Sequence, residues 1–130
     1  MALEEITKTI EGIFDVETKE GYAHEKKRTA EGTLIAIQKE EFNYDSTALF
    51  TNKSKRIRGV NLEIQNQRGK ETVELPREIS LTDRQAMSKQ RVRYSQKVWS
   101  SAMEGTSTEY KLEVLSGPLS GKELRKSVFV

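Results

Sequence analysis

The segment from Val60 to Leu75 constrains this chain more than any other. Val60, Leu62 and Ile64 alternate with Asn61, Glu63 and Gln65, and Val73 and Leu75 alternate with Thr72 and Glu74. A period of two puts every apolar side chain on one face of an extended strand. Between the two runs lies Asn66-Gln67-Arg68-Gly69-Lys70, a short polar stretch with a glycine, so the pair reads as a β-hairpin with one buried face. Such a hairpin needs a further layer or more strands to cover that face.

Further strands are expected. Tyr110, Leu112 and Val114 alternate with Glu109, Lys111 and Glu113; Gly117-Pro118 and Gly121 then supply a turn before a closing strand from Leu124 to Val130. Thr33 to Lys39, around Ile35 and Ile37, reads as a strand buried on both faces at its centre. Residues 6–17 fit either a strand or a helical stripe through Leu3, Ile6, Ile10 and Ile13; the β-branched residues favour the strand. One helix is expected at about 82–103, with Ser80 or Thr82 as N-cap, Leu81 as staple, Asp83 in the first turn and Gly105 as the stop. Against it stands Val92 to Val98, which also alternates like a strand. Thr18 to Glu31 and Glu40 to Arg58 remain as long polar connections.

The order of three strand regions, a helix and two strands is that of an α+β fold, mainly antiparallel β: a small OB-like barrel or curled sheet with one helix, in a single domain over 1–130. At 130 residues, with 35% hydrophobic and 32% charged, the chain can bury one modest core under a well-solvated surface.

Chemistry is sparsely represented. There is no cysteine, which rules out disulfides, thiolate nucleophiles and sulfur-ligated zinc, and His24 is the one histidine. Neighbouring carboxylates such as Glu40-Glu41 do not make an acid/base pair, which needs two groups in different environments. Gly117 to Lys122 lacks the spacing of a phosphate loop, and no nucleotide or hydrolase motif is present. The expectation is a binding protein and no enzyme, with neither cofactor nor metal. Met1 to Ile6 carries two early carboxylates and no apolar signal region, and the longest apolar run is Leu34 to Ile37, so a cytoplasmic protein with no membrane partner is expected.

The charge map is more informative. Residues 1–52 carry eleven carboxylates against six bases, a balance of −5, whereas 53–97 carry twelve bases against five carboxylates, a balance of +7. Basic residues interleave with aromatic ones around Tyr94 and Trp99, the combination that suits single-stranded nucleic acid, where bases stack on rings and cations track phosphates. The expected site is Lys53, Lys55, Arg56, Arg58, Arg84, Lys89, Arg91, Arg93, Tyr94 and Lys97, binding nucleic acid with little sequence preference. Trp99, on the helical stripe, is assigned to the core. The alternative is a protein–protein interaction module: an assembly subunit, an accessory factor, an intracellular inhibitor or a homo-oligomer built by pairing acidic and basic surfaces. A small-molecule carrier would need a roomy apolar interior. One observation separates the first two. Basic segments that converge away from the acidic half favour nucleic acid, and carboxylates interleaved with them favour a protein partner.

Overall fold

A computed structural model describes residues 9–18, 21–46, 54–101 and 104–130, with the backbone only for those before Glu25. The hairpin at its heart is formed by β3 (Ser54–Asn66) and β4 (Gly69–Leu75), with Val60 opposite Leu75 and Leu62 opposite Val73. Its turn closes between Asn66 and Gly69; the Arg68 amide donates to the Asn66 side chain at 2.9 Å, and Gly69 takes φ +123°.

Around this hairpin the chain adds β1 (Thr9–Thr18), β2 (Gly21–Asp45), α1 (Leu81–Met87), β5 (Arg91–Ser101), β6 (Gly105–Val114) and β7 (Glu123–Phe129). All pairings are antiparallel, in the order β4-β3-β2-β5-β6-β7, with β1 also on β2. The result is the expected α+β architecture: a mainly antiparallel sheet curled into a half-barrel, with one short helix. Residues 6–17 resolve in favour of the strand where they are described.

β2 organises the sheet. Its first half pairs with β1 on one edge and β5 on the other, and from Thr33 onward β3 takes over the β1 edge. A register shift between Leu34 and Ala36 bends the strand as it changes partner. Both long connections foreseen around Thr18–Glu31 and Glu40–Arg58 are therefore largely strand. Ala30 enters the core and Tyr44 and Ile57 pack against it, but most of their other residues are polar, and backbone pairing, which does not depend on side-chain polarity, holds them extended.

The helix expected over 82–103 is corrected. Its entry is as foreseen: Ser80 is the N-cap, its hydroxyl accepting from the Asp83 amide at 3.2 Å. It ends at Met87, Lys89 takes φ +64°, and Arg91–Ser101 is β5. As a strand this segment gains paired neighbours on both edges, β2 and β6, and buries Val92 and Tyr94 completely. An isolated helix, with β-branched and aromatic residues in its second half, has no comparable return.

The inner face holds one core cluster, in which Leu34, Leu62, Ile64, Leu75, Val92, Tyr94, Leu112 and Val114 are 0% exposed, with Met87 of α1 also at 0%. Each such aliphatic side chain contributes about 1.5–3 kcal/mol relative to exposure. The opposite, outer face of β2, β5, β6 and β7 is covered by no other element among the described residues. No helix among them is long and apolar enough to cross a membrane.

Candidate functional site

Strand alternation decides where the expected basic residues go. Tyr94 points inward at 0% exposure, its hydroxyl donating to the Glu74 carbonyl oxygen at 2.7 Å with the Gln96 side chain 2.9 Å away. Its ring is therefore closed to stacking on a base. Arg91, Arg93 and Lys97, at odd positions of the same strand, lie on the outer face with Trp99, so the assignment of Trp99 to the core is also corrected: its half-buried ring lines an outer depression with Glu25, Lys97, Ser107 and Glu109. The helical stripe that placed it inside does not exist.

The other basic residues sit elsewhere. Arg58 and Arg84 line a groove of about 760 Å³ between the β2–β3 hairpin and α1, shared with Lys39, Glu40, Glu41 and Glu78. Arg84 also donates to the Ile79 carbonyl at 3.1 Å. Arg56 meets Glu41 at 3.0 Å, Lys55 is exposed near the start of β3, and Lys89 is exposed in the turn after α1. Lys53 and the side chain of His24 lie outside the described residues. Of the two basic stretches, Arg58 and Arg84 thus meet in this groove while Arg91, Arg93 and Lys97 lie on the outer face, and carboxylates interleave with both.

The outer face shows that interleaving most clearly, because the pairing register arranges it in rows running across four strands. One row is Glu31, Arg93, Glu113, Glu123; the next is Thr29, Ser95, Lys111, Arg125; then Lys27, Lys97, Glu109, Ser127; then Glu25, Trp99, Ser107, Phe129. Arg93 bridges Glu31 and Glu113, at 3.1 Å to each. Glu25 holds Lys97 at 3.2 Å and Lys27 at 3.6 Å, and Arg125 donates to Glu123 at 2.9 Å. A hydrogen bond from Lys97 is the main reason the Glu25 carboxyl lies below its usual range, and Arg125 does the same for Glu123.

Between the two middle rows runs a trough of about 400 Å³. Its lining includes Lys27, Lys97, Lys111 and Arg125 around the small side chains of Thr29, Ser95 and Ser127, with Glu109 as the one carboxylate. Beside it, Phe129 is 53% exposed. Of the trough's four outer cations only Lys97 is among the residues expected from sequence. Lys111, Arg125 and Phe129 belong to strands foreseen from sequence, whereas Lys27 lies in the stretch expected as a polar connection, and only the register between strands brings the four together.

Searches against protein families, curated proteins and solved structures return no match for this chain.

Proposed function

We propose that the chain is a non-enzymatic protein-interaction module that engages its partner through the outer face of β2, β5, β6 and β7. The observation that carries this reading is the sign pattern of the rows. A cation-rich band lies between a row holding Glu31, Glu113 and Glu123 and a row holding Glu25. Neighbouring rows are two residues apart, or about 6.6–6.8 Å. That is inside the Debye length of about 8 Å at physiological salt, so phosphates of a long polyanion over the band would also feel the flanking carboxylates. A protein surface can match such a mosaic band by band. Trp99 and Phe129 add apolar anchors of the kind enriched in protein interfaces.

Nucleic acid keeps one observation in its favour: the cations of the trough lie next to two exposed or half-exposed rings. Affinity capture from extract of the source cells, with and without nuclease, separates the readings. A protein partner that survives nuclease and is lost with the Trp99→Ser, Phe129→Ser double variant is expected. Recovery of nucleic acid instead, or a partner retained by the double variant, overturns the proposal.

A further inference from the structure

We infer that the trough on the outer face takes an extended acidic peptide segment; the inference rests on the protein-interaction reading and names the chemistry of the partner.

The two ends of the trough have the same construction. At the β2–β5 end Glu25 is shared by Lys27 and Lys97. At the β6–β7 end Glu123 is paired with Arg125 and also feels Lys111. Each end thus holds two cations near one carboxylate, with Glu109 as a further negative charge beside Lys97. The ends are two strand spacings apart across the sheet and one row apart along it, roughly 12 Å on the diagonal. Carboxylates three or four residues apart in an extended chain cover that span, since such a chain advances about 3.3 Å per residue. The hydroxyl-bearing floor leaves room for the ligand's carboxylates between the long cations and supplies hydrogen-bond donors to them.

The division into two ends argues against a single phosphate. A phosphate dianion draws several cations to one point, and here the four cations at outward-facing strand positions are split into pairs, Lys27 with Lys97 and Lys111 with Arg125. Glu109 lines the trough and opposes any anion there. That position makes a gain of affinity testable.

The protein carries its own reporter, because Trp99 is the sole tryptophan and lies beside Lys97 and Glu109. An acetylated octaglutamate peptide is titrated against Trp99 fluorescence at low salt, with inorganic phosphate and an oligothymidylate as parallel arms. Saturable binding of the peptide, weakened by salt, is expected. Glu109→Gln should tighten it about threefold, and Lys97→Gln with Lys111→Gln should weaken it about tenfold at an unchanged melting temperature. Absence of a saturable response to the peptide, indifference to Glu109→Gln, or tighter binding of phosphate or oligothymidylate overturns the inference. A peptide that binds while the Trp99→Ser, Phe129→Ser variant keeps its protein partner upholds the trough and overturns the wider interface. Loss of the partner with no peptide response does the reverse.

Discussion

The Tyr94 hydroxyl donates to the Glu74 carbonyl oxygen at 2.7 Å, joining β5 to β4, two strands that are not neighbours in the sheet. The bond crosses the interior of the half-barrel, between strands that share no ladder hydrogen bonds. Tyr94→Phe keeps the ring in the core and removes the hydroxyl's links to Glu74 and to Gln96, leaving a part-buried carbonyl without its donor. A loss of about 1 kcal/mol is expected, a melting-temperature drop of about 3–5 °C for a domain of this size. Matching thermal and urea unfolding of the two proteins would show that Tyr94 is merely a filler.

The same region makes the protein sensitive to alkali. Burial raises the Tyr94, Tyr44 and Tyr110 phenols above their ordinary value; Tyr44 and Tyr110 are also neighbours, and the Glu74 charge acts on all three. The folded state therefore resists ionisation more than the unfolded chain does. Their contribution is complete below the unfolded phenol value of about 10 and declines as the pH rises above it. Phenolate absorbance followed with far-ultraviolet circular dichroism should show these tyrosines ionising only as the sheet unfolds. Smooth titration near 10 with structure intact would contradict this.

How much of this was legible in sequence follows from the range of each interaction. The β3–β4 hairpin was legible because its alternation, turn and pairing all lie within Val60–Leu75. The Ser80 cap was legible for the same reason. The end of α1 was not. Val92 and Tyr94 choose a strand because β2 and β6 wait on either side, information held far away at Gly32 and Val114. The candidate site suffered most: Lys97 was identified from its neighbours in the chain, but Lys111 and Arg125 join it only through register.

Two glycines mark where backbones pass too closely for a side chain. A Cβ on Gly32 would lie 2.3 Å from the Gln65 carbonyl oxygen, and one on Gly59 2.2 Å from that of Leu75. Both obstacles are backbone, so the strands themselves must move. Gly32→Ala and Gly59→Ala should each cost about 1–3 kcal/mol or more. At Gly121 a Cβ meets nothing within 4 Å, and the penalty is limited to its φ of +91°, about 1–2 kcal/mol for a left-handed backbone. Urea midpoints should rank Gly121→Ala as the mildest of the three; the reverse order would show that the strands yield freely.

Arg93 stands between two carboxylates of unequal exposure: the Glu31 side chain is 10% exposed and that of Glu113 25%, each 3.1 Å from the guanidinium. Equal distances with unequal solvent access predict unequal coupling, because water screens the more exposed pair more effectively. Double-mutant cycles with Arg93→Ala should give about 0.5–1 kcal/mol with Glu31→Ala and about 0.2–0.5 kcal/mol with Glu113→Ala. In 1 M salt the Glu113 term should fade first. The outcome bears on function, since an Arg93 held by both neighbours is already committed and adds little attraction for a polyanion. Arg93→Ala should accordingly leave any residual oligonucleotide binding nearly unchanged. A large loss of that binding, or equal couplings that vanish together in salt, would show that Arg93 is free to meet phosphate and would return the outer face to the nucleic-acid reading.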